Sequence, residues 1–361
     1  MGEQKRIGIL TSGGDCAGLN AVIRSVVCRA VGTYDWEVLG IRQATMGLLT
    51  SPPNVVPLTP ETVEELLIIG GTFLGTTNKG DPFAFPMPDG SLLDRSQEIA
   101  ENYHRLGLEA LIVIGGDGSM AILRKLAIQG GMNLVAIPKT IDNDVGSTER
   151  SIGFDTAVNI ATEALDRLHF TAASHNRVMI LEVMGRDAGH IAISAGIAGG
   201  AHVILIPEIP YTIANVCKKI HERQEQGKNY SLVIASEAVR TENDEPVTTT
   251  NSLGQCRYGG IGHYLSEKIC LCSGAETRVT VLGHIQRGGT PSPLDRLTGS
   301  IFGVAAVDLI AEGKYDRMVS WQNRQVTSVP IPEAIGKYSA VDPNGTLVKT
   351  ARGLGICLGD I

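Results

Sequence analysis

The stretch PKTIDNDVGST, Pro138 to Thr148, follows the apolar run NLVAIP and brings Lys139, Thr140, Asp142 and Asp144 to the exit of a buried strand. Charges at such a position are costly unless they meet partners. Two carboxylates two residues apart fit a base and a group working near a metal. Phosphoryl transfer needs those parts, because it is mostly positioning and neutralisation of charge. The plainer alternative is that the aspartates cap the next helix.

Two further loops follow apolar runs. In ILTSGGDCAGLN, Ile9 to Asn20, Gly13 and Gly14 let backbone approach a phosphate, with amide groups at the following helix N-terminus as donors. The loop fits neither the Walker A nor the G-x-G-x-x-G pattern, and an ordinary strand-to-helix turn explains it as well. In VIGGDGSM, Asp117 is flanked by Gly116 and Gly118 and suits a cap, a turn or a ligand of phosphate-bound Mg2+. Ser119 is the expected helix N-cap.

An anionic substrate also requires cations. SHNRVMILEVMGRDAGH supplies Arg177 and Arg186 at either end of an apolar run, and TRVTVLGHIQRGGTP supplies Arg278, His284 and Arg287. Singly, each arginine reads as a surface ion pair and His284 as a core histidine. Their recurrence at strand ends beside glycine turns points instead to phosphate, whose oxygens the guanidinium fork matches.

The elements that position these residues alternate. RIGIL, EVLGI, ALIVIGG, NLVAIP, RVMILEVMG, HVILIP and SLVIASE read as buried parallel strands. Helical patterns run over 20–30, 60–67, 93–106, 120–128, 155–170 and 213–226. This is an α/β chain of two Rossmann-like three-layer α/β/α domains, each with a mainly parallel sheet. The expected division is residues 1–150 plus about 267–314, and about 151–266 plus 315–361. The acidic loop RTENDEP reads as a solvated excursion.

The 361 residues carry a net charge of −7, which argues against a nucleic-acid surface. Glycine, 43 residues or about 12%, exceeds the usual ~7% and points to tight turns and close backbone approaches. Seven irregularly spaced cysteines suggest reduced, mostly buried thiols and no disulfide framework. The apolar run 191–206 is broken by glycines and His202, so it reads as core and not as a membrane span. The segment MGEQKR leads into the first strand without the apolar stretch of a signal peptide. A soluble cytoplasmic protein is expected.

The chain resembles the 6-phosphofructokinase family from Ile7 to about Ala311, through LTSGGDCAGLNAVIR, GGTFLG, VIGGDGS, PKTIDND, SIGFDTA, EVMGR, AGIAGG and VLGHIQRGGTPSPLDR. The resemblance implies phosphorylation of the 1-hydroxyl of fructose 6-phosphate by ATP with Mg2+, in glycolysis. Asp142 matches the base, Thr140 lies beside the transferring group, and Arg186 steadies its charge. Asp117 matches the Mg2+ carboxylate and Asp144 contributes to the acidic cluster. Gly14 and Gly116 to Ser119 match nucleotide contacts. Met184, Gly185 and Glu237 match sugar contacts, and His284 and Arg287 the 6-phosphate holders. Arg177 and Arg278 match residues that cross from a neighbouring subunit, which implies a homo-oligomer, normally a tetramer. A non-catalytic regulatory subunit of the family would be expected to lack the intact set Asp117, Asp142 and Arg186.

The family also contains pyrophosphate-using members. Gly118 is the ATP-type residue, since a carboxylate there would repel a nucleotide α-phosphate. Lys139 is the residue common in pyrophosphate users. The excluding element weighs more, so ATP is favoured. Asn78 replaces an arginine usual in bacterial ATP users, and Lys79 is the substitute phosphate cation. At the bacterial effector site Arg24 and Lys228 match, while Cys28, Pro60, His169, His202 and Gln226 replace charged positions. Beyond Tyr315 the similarity is loose.

Overall fold

The computed structural model describes residues 4–250 and 256–360. The start of MGEQKR, residues 1–3, lies outside them. The chain opens with β1 (Arg6–Thr11), α1 (Leu19–Tyr34), β2 (Glu37–Ile41) and β3 (Val55–Leu58), then α2 (Ser96–Arg105), β4 (Ala110–Gly115), α3 (Asp117–Gly130) and β5 (Leu134–Thr140). It continues through α4 (Phe154–His175), β6 (Val178–Val183), α5 (His190–Ala198), β7 (Val203–Leu205), α6 (Ile213–Glu225) and β8 (Ser231–Ser236). The last elements are α7 (Ile261–Ser273), β9 (Thr277–Val281), α8 (Pro293–Ala311), β10 (Arg317–Gln322), β11 (Gln325–Pro330) and α9 (Thr346–Gly353).

Two compact units result. The first comprises residues 1–155 and 287–338, the second 156–286 and 339–361. The first unit's sheet runs β11-β10-β5-β4-β1-β2-β3. Its inner strands are parallel, and antiparallel β3 and β11 close the two edges. Every residue of β4 is buried, which is why its sequence is an unbroken apolar run and not an alternation. The second unit's sheet, β7-β8-β6-β9, is wholly parallel.

The chain returns to the first unit at Arg287, about twenty residues later than the sequence suggests. The reason is β9, whose Thr277 to Val281 pair with Val178 to Glu182 of β6. The chain stays in the first unit through Tyr338, so residues 315–338, with β10 and β11, belong to it and not to the second unit as expected. The return segment then docks through polar side chains as well as apolar ones. Buried Asp295 accepts the Gly153 amide at 2.9 Å, and the N-cap Ser292 donates to Asp155. A Cβ on Gly18 would meet Ile152 at 2.8 Å and Asp295 at 3.3 Å. The motifs around Gly18, Gly153 and Asp295 thus interlock as structure.

The expectation of uniformly reduced thiols is corrected. Cys217 on α6 and Cys272 on α7 form a disulfide. Cys16 is a buried free thiol, but Cys270 is exposed and Cys28 and Cys357 are half-buried. Among the described residues no helix is long and apolar enough to cross a membrane.

Candidate active site

In the first unit the carboxyl ends of β1, β4 and β5 adjoin, because these strands are parallel neighbours. The loops that leave them therefore meet. Gly13, at φ 84°, adopts a conformation that favours glycine, and its amide donates to Thr77 O at 3.0 Å. Thr76 Oγ1 donates to Gly13 O at 2.7 Å, which fixes the loop carrying exposed Asn78 and Lys79 beside the glycine turn. Ser12 Oγ donates to Ser119 Oγ at 3.0 Å, tying the same turn to α3.

Helix α3 begins at Asp117 with Gly116 as its N-cap, so Ser119 is the third helical residue and not the cap. Asp117 is half-buried at a helix N-terminus, where the helix dipole favours a negative charge. Gly118 is exposed, and a Cβ built there meets nothing within 4 Å.

Strand β5 extends through Thr140, so Lys139 stands on the strand itself. It is 5% exposed and its Nζ donates to Gly14 O at 2.6 Å. Burial lowers its pKa, with nearby Arg287 pushing the same way and Cys16, Asp142 and Asp15 opposing. The guanidinium of Arg287 presses on Gly14, where a Cβ would meet it at 2.9 Å, and Nη1 donates to Asp15 O at 3.1 Å. Sequence reasoning paired Arg287 with His284. The structure sets it against the glycine turn.

Asp142 and Asp144 are buried, at 7% and 4% exposure. The nearest following long helix starts at Phe154, so neither caps it. Thr140 Oγ1 donates to Asp144 Oδ1 at 2.9 Å and accepts the Asp142 amide at 3.1 Å. Ser151 Oγ donates to Thr140 O at 2.9 Å and to Asn143 Oδ1 at 3.1 Å, closing the loop on itself. Thr140 thus orients the Asp144 carboxylate and fixes the backbone that carries Asp142.

In the second unit the carboxyl ends of β6 and β8 carry Met184, Gly185, Arg186 and Glu237. A Cβ on Gly185 would meet Ala188 O at 2.3 Å, so only glycine permits that turn. Arg186 is exposed at φ 52°, in the left-handed region, and its amide donates to Glu237 Oε1 at 3.2 Å. Exposed His284 follows β9 in a short 3-10 turn, Gly283–Arg287. Gln286, which sequence reasoning passed over, is 1% exposed and accepts the Met184 amide at 2.7 Å. Its signal was only its place inside the GHIQRGG motif.

Arg177 and Arg278 lie elsewhere. They flank or begin β6 and β9 at the amino ends of the strands, where Glu276 binds both. Arg177 approaches Glu276 at 3.0 Å and, with Arg278, holds its carboxyl below the usual range. Arg177 lies seven residues before Met184, and Arg278 pairs with Met179, five residues before it, so about 23 and 16 Å of strand at ~3.3 Å per residue separate them from the Met184 turn.

Of the residues matched to an effector site, Arg24 and Cys28 stand on α1, and Pro60 opens a short helix. His169 Nε2 and Tyr230 Oη hydrogen-bond at 3.1 Å. His202 Nδ1 accepts the Leu232 amide at 2.9 Å, and burial, then Arg223, lowers its pKa to about 3. Gln226 and Lys228 are exposed after α6.

Strand-end loops with glycine turns, a helix N-terminus and oriented carboxylates define an α/β phosphotransferase architecture. Residues 6–310 match the phosphofructokinase family, and the chain belongs to it. It is 70% identical over 360 residues to "ATP-dependent 6-phosphofructokinase 1" of Synechocystis sp., with 100% of each chain covered. It is 71% identical to the protein of that name from Nostoc sp., again over 100% of each. A Pichia pastoris phosphofructokinase in the T-state superposes with a TM-score of 0.79 at 28% identity. That match covers 93% of this chain and 36% of the yeast chain, so this chain spans about a third of its length. A pyrophosphate-dependent phosphofructokinase from Marinobacter aquaeolei shares the fold at TM-score 0.80 and 21% identity, covering 98% and 88%.

Proposed function

We propose that the chain transfers the γ-phosphoryl group of ATP to the 1-hydroxyl of fructose 6-phosphate, giving fructose 1,6-bisphosphate and ADP in the glycolytic sequence of the cytoplasm. The observation that carries this is full-length identity of 70% to a protein named for ATP-dependent phosphofructokinase. Asp142 takes the proton of the attacking hydroxyl, held in place by the Thr140 hydroxyl at its amide. Arg186 binds the transferring group as its charge spreads. Gly14, Gly116, Gly118, Ser119, Asn78 and Lys79 receive the nucleotide, and Met184, Gly185, Glu237 and His284 receive the sugar phosphate, with Arg287 joining them from its seat against Gly14.

Asp117 offers a hard oxygen donor at a helix N-terminus. Among the described residues no group of three or more His, Cys, Asp or Glu could hold a metal ion. That donor set fits Mg2+, which commonly keeps one or two carboxylates, donor phosphates and water as ligands. When bound, Mg2+ supplies neutralisation of phosphate charge.

Arg177 and Arg278 complete the site from a second copy of the chain. About 16 to 23 Å of strand separates them from the Met184 turn, and a hexose phosphate is shorter. A homo-oligomer, normally a tetramer, follows from that reading. The test is a coupled assay with fructose 6-phosphate and either donor. Turnover with ATP is expected. Turnover with pyrophosphate alone would reassign the donor to Lys139 chemistry, and none with either would indicate a regulatory subunit.

A further inference from the structure

We propose that Cys217 and Cys272 form a redox-exchangeable bridge that tunes affinity for the sugar phosphate, a reading that rests on the function proposed above. Cys217 on α6 and Cys272 on α7 are 55 residues apart in sequence, and their Cα atoms are 6.3 Å apart, within the span a disulfide bridges. Cys217 is 4% exposed and belongs to the apolar core under α6 and α7. Cys272 is exposed. Both cysteines line a surface groove of about 450 Å3, together with Lys218, His221, Glu222 and Glu225. A thiol reagent or a dithiol protein therefore reaches the bridge from solvent.

The remaining cysteines set the context. Seven cysteines at irregular spacing build no disulfide scaffold, and Cys16, Cys28, Cys270 and Cys357 stay free. One accessible bridge among the described cysteines, in a reducing compartment, is the pattern of a sensor and not of a structural staple. Reduction proceeds by exchange with a dithiol. One thiolate attacks the exposed Cys272 sulfur, forms a mixed disulfide and expels Cys217 as a thiolate, which takes up a proton. The reductant's second thiol then displaces Cys272, leaving two thiols on the enzyme and one disulfide on the reductant.

What the bridge holds is the helix between two parts of the sugar site. At its N-terminal end, α7 is tied to β6, because the Gly260 and Gly262 amides donate to the Glu182 carboxylate at 3.1 and 2.8 Å. Glu182 stands two residues before Met184. At its C-terminal end, α7 passes from Cys272 through Gly274 to Glu276, the shared partner of Arg177 and Arg278. The bridge fastens that last turn to α6. Without it, the turn that feeds Glu276 and Arg278 keeps the Ser266–Thr277 hydroxyl bond at 2.7 Å and the Val178 amide on Glu276 O at 3.0 Å, but it loses its covalent tie to α6, and the two arginines lose part of their preorganisation.

The experiment uses the full-length enzyme equilibrated in oxidised or reduced dithiothreitol, then denatured for thiol counting and assayed at saturating ATP. The oxidised enzyme is expected to show five free thiols of seven and a cross-link between the fragments holding Cys217 and Cys272. The reduced enzyme should show seven. On reduction the KM for fructose 6-phosphate should rise about threefold or more, as losing preorganisation of one or two side chains would give, with kcat within about twofold. Cys272→Ser, at an exposed position, should show the higher KM under both conditions, whereas Cys270→Ser should behave as the unaltered enzyme. Seven thiols after oxidation, or a cross-link through Cys270, would overturn the bridge. Equal KM values for forms with five and seven thiols would overturn the coupling. If neither form turns over fructose 6-phosphate, the activity reading fails, while thiol count and cross-link still decide the bridge.

Discussion

Residue 118 separates the physics of donor choice from family likeness. Gly118 is the second helical residue of α3, exposed, with open space where a Cβ would stand. An aspartate there adds a negative charge in the first turn of a helix, a favourable place for one. Gly118→Asp should therefore fold normally, and its effect on the donor can be read cleanly. Two like charges about 4 Å apart at an effective dielectric near 20 repel by roughly 4 kcal/mol, an upper bound before rearrangement. A third of that is nearly tenfold in affinity. The expected result is a drop of about tenfold or more in kcat/KM for ATP, with pyrophosphate use falling less or emerging. An unchanged KM for ATP would remove residue 118 from the nucleotide site. At this scale the sequence was informative, because glycine-flanked Asp117 and the pair Asp142 and Asp144 are chemically unusual at strand exits. Lys139 bonding to Gly14 O was not legible, because it depends on which loops the sheet order makes neighbours.

Among elements, the strands were the most readable, since parallel strands buried on both faces leave unbroken apolar runs such as Ala110–Gly115. Where β9 pairs was not readable. Its burial is mixed, as an edge strand's is, and nothing local in TRVTV chooses between the two sheets. The helix start at Asp117 was missed for a similar reason: Gly116 caps α3 without the side-chain oxygen that a sequence search looks for. The edge at β7 carries its own test. The C-terminal segment docks there, with Ile204 N donating to Cys357 O at 2.9 Å and Cys357 N to His202 O at 3.0 Å. His202 itself must be neutral to accept the Leu232 amide. Its pKa of about 3 in the fold lies below the usual 6.5, owing to burial first and then Arg223, His169, Lys219 and Lys228. Between those values the unfolded chain binds the extra proton, so stability is fully present above pH 6.5 and is lost as pH falls toward 3. The loss is at most about 1.4 kcal/mol per pH unit. His202→Gln should flatten the fall in urea midpoint between pH 7 and pH 5. An identical fall in both proteins would show that another group carries the acid sensitivity.

At the level of the whole molecule, the separation of Arg177 and Arg278 from the Met184 turn along β6 makes a prediction that one chain alone does not. If those arginines serve a neighbouring copy, a site defective in its own base and a site defective in its lent cation belong to different chains. Asp142→Asn should lower kcat by about 10^2-fold or more by removing the base. Arg278→Ala should chiefly raise the KM for fructose 6-phosphate, by deleting a charge-assisted contact. Co-expression of the two variants with different tags, followed by selection for both tags, yields oligomers that contain each chain. In a symmetric pairing where each copy lends its arginine to the other, one of the two sites then holds an intact Asp142 and an intact Arg278, while the other holds neither. Up to about half of the sites should regain activity at low fructose 6-phosphate, well above either variant alone. Variants that co-purify without any such gain would place both groups in the service of the same chain, and the arginines at the amino ends of β6 and β9 would revert to a surface ion-pair cluster around Glu276.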